Sequence, residues 1–233
     1  MMPATTLAEA FEQARSMDAP LSERLSAYAR AIRNLNAPFA QAVDRLVGRL
    51  RVGSAITASP KEGERMPSFL LPDHMGRLVS LEDLVARGPV VVTFARGHWC
   101  PYCRIAVSAL AEIADDAKAF DGQIVVIVPD RQSFTARLRA ETSARFPILT
   151  DLDTGYALSL GLVFWVGEEM QKFMVAGNVN PGESQGNDSW LLPIPATFIV
   201  GRDGIIKARH VDPDYRTRME IDSVLAAVKL AQA

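Results

Sequence analysis

Hydrophobic residues recur along this chain with two different periods, and the change of period divides it. Through the first 60 residues apolar positions return every three or four residues: Leu21, Leu25, Tyr28, Ile32 and Leu35, then Phe39, Val43, Leu46 and Leu50. That spacing predicts amphipathic helices, and Thr6 with Glu9 three residues on has the form of a capping box at the start of another. Strand patterns are absent from this stretch. Its stripes read as packing on the chain's own domain, the usual use of an amphipathic helix, or alternatively as a partner surface or homodimer interface. The polar run from Gly53 to Gly63, with Ser59-Pro60, marks the boundary between a helical extension over residues 1–60 and a second unit over 61–233.

From residue 68 the pattern shifts to short apolar runs punctuated by turns. Ser68 to Leu71 and Arg77 to Ser80 flank Pro72-Asp73-His74-Met75-Gly76 and predict a hairpin, with a short helix at Leu81 to Val85. There follow a strand at 90–95, a helix at 101–118, a strand at 123–128 (QIVVIV), a helix at 131–142, a short strand at Ile148-Leu149 and a helix near 154–160. After a helical piece from Glu168 to Met174, the Gly/Asn/Ser-rich Ala176 to Ser189 reads as a loop, a surface insertion in preference to a mobile lid. Ala196 to Val200, the turn Gly201-Arg202-Asp203-Gly204 and Ile205 to Val211 predict a second hairpin. Asp212 and Asp214 around Pro213 have the form of a helix start, and the last helix carries Met219, Val224, Leu225 and Val228 on one side. A parallel β-α-β unit, a β-hairpin and a terminal helix make an α/β fold with a central mixed sheet flanked by helices.

Composition narrows the classes of function. With 48% hydrophobic residues in 233, the chain has enough apolar material for one sizeable core. Its 25 basic and 27 acidic residues leave a net charge of −2 with no basic block, which argues against nucleic acid as a partner. No apolar run approaches the roughly 20 residues of a membrane span, and MMPATTLAEAFEQARS lacks the basic and apolar regions of an export signal. The expectation is a cytoplasmic protein with no membrane partner.

Both cysteines of the chain fall in Arg96-Gly97-His98-Trp99-Cys100-Pro101-Tyr102-Cys103-Arg104, directly after the apolar strand. A lone C-x-x-C beside a β-α-β pattern points to redox chemistry. A tetrahedral zinc site needs four ligands, and His74, His98 and His210 are scattered; no metal or cofactor is expected, and no glycine motif for flavin, nicotinamide or phosphate is present. If Cys100 is the helix N-cap, its sulfur faces unpaired N–H groups and the positive end of the helix dipole, which favour the thiolate. Pro101 at the first helical position suits that arrangement. Cys103 then emerges on the same face. Cys100, as the exposed member, should attack and Cys103 should resolve the product. Arg96, His98 and Arg104 are candidate helpers or solvated side chains. Trp99 either shields the sulfurs and gates access or is an ordinary core aromatic.

FLLPDHMGRLVSLEDL at 69–84, GPVVVTFARGHWCPYCR at 88–104, LPIPATFIVGRDGIIKA at 192–208 and DYRTRME at 214–220 together resemble the peroxiredoxin-like branch of the alkyl hydroperoxide reductase/thiol-specific antioxidant (AhpC/TSA) family. The likeness spans roughly residues 60 to 230. It implies a thioredoxin-like fold, a redox cysteine at a helix start, reduction of hydroperoxides or disulfides, and a thioredoxin- or glutathione-type thiol donor. Two departures stand out. Peroxiredoxins place a proline seven residues and a Thr or Ser three residues before the reactive cysteine, where this chain has Thr93 and Gly97. They also use an arginine close before the strand that ends in F-I-x-D, where this chain has Pro195. Pro195 resembles instead the thioredoxin cis-proline that presents backbone to a bound substrate, and Arg202 is a poor substitute for the missing arginine. The resemblance therefore implies Cys100 and Cys103 as catalytic residues and Trp99, Pro101 and Pro195 as substrate contacts. Three functions follow: thiol peroxidase, dithiol–disulfide oxidoreductase, or non-catalytic redox sensor.

Overall fold

The computed structural model describes residues 4–53 and 56–232. Residues 1–3 of the opening segment, residues 54 and 55 of the Gly53–Gly63 boundary, and residue 233 lie outside the described residues. Three helices come first: α1 (Leu7–Arg15), α2 (Leu21–Leu35) and α3 (Ala37–Val52). The Thr6 hydroxyl accepts from Glu9 N–H at 3.1 Å and caps α1. Pro20 offers α2 no side-chain cap, and Glu220, from the far end of the chain, takes that role by accepting from Leu21 N–H (3.1 Å) and Ser22 N–H (2.8 Å).

A hairpin of β1 (Leu70–Pro72) and β2 (Leu78–Ser80) leads through α4 (Leu81–Val85) to β3 (Val90–Phe94), α5 (Pro101–Glu112), α6 (Ala114–Lys118), β4 (Gln123–Val128), α7 (Gln132–Glu141) and β5 (Ile148–Thr150). The remainder is a 3-10 turn at Leu152–Thr154, α8 (Gly155–Ser159), β6 (Val163–Trp165), α9 (Glu168–Ala176), α10 (Pro181–Gln185), β7 (Leu191–Pro193), β8 (Ala196–Val200), β9 (Ile206–Val211) and α11 (Ile221–Ala231). The main sheet runs β5-β4-β3-β8-β9. β3, β4 and β5 are parallel, and β8 and β9 return antiparallel. Every residue of β3 and β8 is buried, which explains why these strands read as unbroken apolar runs: both faces of a central strand are covered.

One face of the sheet packs with α5, α11 and the N-terminal helices into a single core that includes Phe11, Leu25, Tyr28, Leu46, Ile105, Ile199 and Val228. The apolar stripes of α2 and α3 are thus buried within this chain, except at Leu35, which is exposed, and Phe39, which is half-buried. Arg24, itself 4% exposed, ties the extension down by reaching Glu112 at the end of α5 (3.0 Å).

Four expectations need correction. The helix over 101–118 is two helices, because the chain leaves helical geometry at Ile113 (φ −101°, ψ 6°). The Ala176–Ser189 loop contains α10, and the unanticipated β6–β7 pair brackets it; with Ser184 and Gln185 buried and Ser184 O accepting from Arg131 N–H at 2.8 Å, the segment is anchored. No helix begins at Asp212–Asp214: the Asp214 carboxylate binds Arg216 through its N–H (3.1 Å) and Nε (2.8 Å), so residues 212–220 run as an irregular segment until α11. Finally, the described residues contain no cis peptide bond. Pro195 is trans and lies between β7 and β8, with Ala196 opposite Phe94 of β3; a proline lacking an N–H is well accommodated just ahead of a strand.

Candidate functional site

The site is built where β3 ends and α5 begins. Cys100 is the N-cap of α5 in extended conformation, and its Sγ accepts from Cys103 N–H at 3.4 Å. Pro101 occupies the first turn as expected. Arg96 stands two residues beyond the end of β3: its Nη2 donates to Cys100 Sγ at 3.1 Å while its backbone N–H donates to Cys103 Sγ at 3.4 Å. The guanidinium lies 3.4 Å from the Tyr215 ring centroid and 5.3 Å from that of Trp99, a cation stacked between aromatic faces. Arg218 Nη2 approaches Cys103 Sγ at 3.7 Å. Both cysteines are free thiols.

The expected exposure of Cys100 is not found. Its side chain is 0% exposed and that of Cys103 1%. The reason is the roof formed by the extension and the 212–220 segment: Tyr28 of α2 packs edge-on against Tyr102 (5.1 Å), and Tyr102 against Tyr215 (5.3 Å). Arg216 holds this segment to α3 through Asp44 at 2.7 Å.

Electrostatics separate the two thiols. Burial pushes the Cys100 thiol up, but the hydrogen bond from Cys103 and the charges of Arg96 and Arg218 outweigh it and hold the pKa well below that of an ordinary cysteine. Burial pushes Cys103 up too, and its bond to the Cys100 anion drives it further, well above the usual range. Of the two, Cys100 is therefore the thiol that ionises first. Burial works against the charge of Arg96, yet its anionic neighbours, Cys100 foremost, keep it firmly protonated.

The other candidates divide. His98 is held away from the sulfurs by Asp130, whose Oδ2 accepts from His98 N–H (2.6 Å) and lies 3.1 Å from Nδ1. Arg104 turns toward Glu141 (3.2 Å) and the Phe11 ring (4.4 Å) and fastens the extension. Arg202 is remote, paired with Asp121 at 3.2 Å. Thr93 does not offer its hydroxyl to the site, because it faces the Thr197 hydroxyl across the sheet at 3.2 Å. Trp99 is half-buried and packs on the core beside Arg96. Gly97 has φ +143° and could not be the Thr or Ser of the peroxiredoxin pattern: a Cβ there would meet Trp99 Nε1 at 2.6 Å. Among the described residues no group of three His, Cys, Asp or Glu side chains is placed to hold a metal ion. Nor is any of their helices long and apolar enough to cross a membrane.

Sequence reasoning missed Arg218, Tyr215 and Asp130. The first two lie in DYRTRME, a segment that carried resemblance without a role, and Asp130 follows a strand with nothing local to mark it.

Residues 63–209 match the AhpC/TSA family. The chain belongs to the AhpC/TSA family. Peroxiredoxin Bcp of Escherichia coli K12 is 27% identical over 169 residues, 72% of this chain and 96% of that protein. Among solved structures, peroxidoxin BcpB from Mycobacterium tuberculosis aligns with a TM-score of 0.56 at 21% identity, over 73% of this chain and 97% of that one. Peroxiredoxin Q from Xanthomonas campestris aligns at 0.54 and 16% identity, over 71% and 92%. The fold is thus the thioredoxin-like fold of these AhpC/TSA neighbours, with three helices added in front, and the chain is a peroxiredoxin-like enzyme.

Proposed function

We propose that the chain reduces hydroperoxides, with Cys100 as the attacking thiolate and Cys103 as the resolving thiol. The observation that carries this reading is the fully enclosed Cys100 sulfur held between the Arg96 guanidinium at 3.1 Å and Cys103 N–H at 3.4 Å. Ionisation makes the sulfur nucleophilic. Its attack on one peroxide oxygen breaks the O–O bond; the other oxygen leaves with the bonding pair and takes a proton from solvent, and Cys100 becomes a sulfenic acid. Cys103 attacks that sulfur, water leaves with the thiol proton and the sulfenic hydroxyl, and a Cys100–Cys103 disulfide forms. A thioredoxin- or glutathione-type donor in the cytoplasm then restores both thiols by exchange. All the protein groups in this sequence come from one chain, and residues 1–60 act as an extension that encloses the thiolate.

Enclosure also ranks the alternatives. A protein disulfide must align with the attacking sulfur along its S–S axis, and Cys100 offers no open approach, whereas a peroxide of a few atoms needs little displacement. The C-x-x-C spacing keeps dithiol–disulfide exchange as the second reading. Stopped-flow oxidation of the reduced protein separates them: peroxide should oxidise Cys100 faster than it oxidises a free thiol of similar pKa, and a model protein disulfide should react slowly. Cys100→Ser should abolish turnover, and Cys103→Ser should accumulate a sulfenic acid trappable by dimedone. A fast reaction with the disulfide and a slow one with peroxide would reverse the assignment.

A further inference from the structure

The chemistry above requires a thiol donor to meet the Cys100–Cys103 disulfide, yet both cysteines are buried. A donor sulfur has to approach along the S–S axis, so part of the enclosure must move before the cycle can close. Residues 212–220, between β9 and α11, are the part most easily moved. They form neither helix nor strand, and their ties to the extension are polar and solvent-accessible. Arg216 reaches Asp44 of α3 at 2.7 Å, Arg51 of α3 reaches Asp212 at 3.5 Å, and Glu220 accepts from the first N–H groups of α2. Ion pairs open to water hold weakly. The loop between β3 and α5, on the other side of the sulfurs, is instead braced from within by Asp130, which is 0% exposed.

The same segment leans on the cations that face the sulfurs. Tyr215 lies with its ring centroid 3.4 Å from the Arg96 guanidinium, whose Nη2 donates to Cys100 Sγ at 3.1 Å. Arg218 approaches Cys103 Sγ at 3.7 Å and folds the segment on itself by donating to Tyr215 O. Cys100 is the group that most favours the charge of Arg96. When the Cys100 thiolate and the Cys103 thiol join, an S–S bond forms, two electrons pass to the oxidant, and the Cys103 proton leaves with the reduced oxidant. The sulfur pair then goes from one negative charge to none, while Arg96, 7% exposed, stays positive. A buried cation that has lost its anion is costly until water reaches it. Water reaches Arg96 when Tyr215 lifts.

We propose that residues 212–220 are a redox-gated strap, closed over the dithiol and released by the Cys100–Cys103 disulfide so that the thiol donor can enter. The inference rests on the reading of Cys100 and Cys103 as the working pair. Reduction restores the thiolate and with it the closed strap. Tyr28 and Tyr215, which complete the roof from either side of Tyr102, both lie outside the residues 63–209 that match the AhpC/TSA family, so the gate is built from parts of this chain beyond the matched region.

The test compares the full chain in its reduced form and after oxidation by diamide, a two-electron thiol oxidant that contains no peroxide. Amide hydrogen exchange across 212–220, which reports local opening, should rise on the order of 10-fold on oxidation, well beyond any change in β3 and β4. Trypsin should also cut after Arg216 or Arg218 faster in the oxidised protein. Asp44→Asn removes the charge that holds Arg216 without touching the sulfurs. Its disulfide should be reduced by dithiothreitol roughly two- to five-fold faster than that of the wild type, the range for loss of one solvent-accessible ion pair. Equal exchange across 212–220 in the two redox states of the wild type would overturn the proposal, as would an Asp44→Asn disulfide reduced no faster than the wild type. Failure of diamide to join the two sulfurs would remove the strap together with the working pair. Redox-dependent exchange in a protein that hydrogen peroxide oxidises no faster than a free thiol would keep the strap and remove the peroxidase reading alone.

Discussion

The loop that ends in Cys100 and the irregular segment after β9 each bring a guanidinium to the same two sulfurs, yet by different routes. Arg96 stands four residues before Cys100, is 7% exposed, and touches both the thiolate and, through its backbone, Cys103. Arg218 comes from 115 residues beyond Cys103 and reaches only that sulfur, at 3.7 Å. Coulomb attraction weakens with distance and strengthens with burial, so the two cations are unequal. After the hydrogen bond from Cys103, the local one does most to lower the Cys100 pKa, and the distant one adds charge while its segment closes the roof. Sequence proximity supplies the chemistry here; tertiary folding supplies the enclosure.

Breaking the local side should have the larger effect. Arg96→Gln removes the cation nearest the thiolate, and loss of a charge at this range should raise the Cys100 pKa. At neutral pH the peroxide rate should then fall with the thiolate fraction. Thiolate absorbance and stopped-flow oxidation would follow both, and an unchanged pKa would mean that the helix terminus and Cys103 suffice without the arginine. Arg218→Gln should act more weakly on Cys100, because Arg96 exceeds it there, while raising the Cys103 pKa further, since Arg218 is the stronger of the two cations at that sulfur. The measurable outcome is a peroxide rate closer to wild type together with slower closure of the disulfide. An Arg218 variant that lost as much peroxide rate as the Arg96 variant would erase the distinction between the two regions.

The same division describes what the amino-acid order could reveal. β3, the helix start at Cys100 and Pro101 in the first turn were legible because each depends on neighbours within a few residues: an apolar run, an N-cap, a fixed φ. The hairpins and the parallel β-α-β unit were legible for the same reason. The enclosure of Cys100 was not, since it is made by Tyr28, far upstream, and by Tyr215, far downstream. The Asp212–Asp214 helix start misled because an aspartate can bind an arginine two residues away as readily as a helix N-terminus, and Asp214 does so. Gly97 and Pro195 were recognisable as departures from the peroxiredoxin pattern. Only the folded chain shows what stands in their place: an indole nitrogen where the hydroxyl residue would project, and a guanidinium that comes from Arg96.

The central claim is that folding leaves Cys100 ionised and Cys103 protonated. Its most direct test is a pH titration of the reduced protein in which thiolate absorbance and the rate of oxidation by hydrogen peroxide are followed together. Because the Cys100 pKa is lowered, one thiolate should form well below the ordinary cysteine range, and absorbance and rate should fall together as acid carries the solution through that pKa. The second thiolate should form only well above the ordinary cysteine range, because the Cys103 pKa is raised. A protein that shows no thiolate until the pH nears about 8.5, the value of an unperturbed cysteine, with its rate still climbing there, would contradict the account.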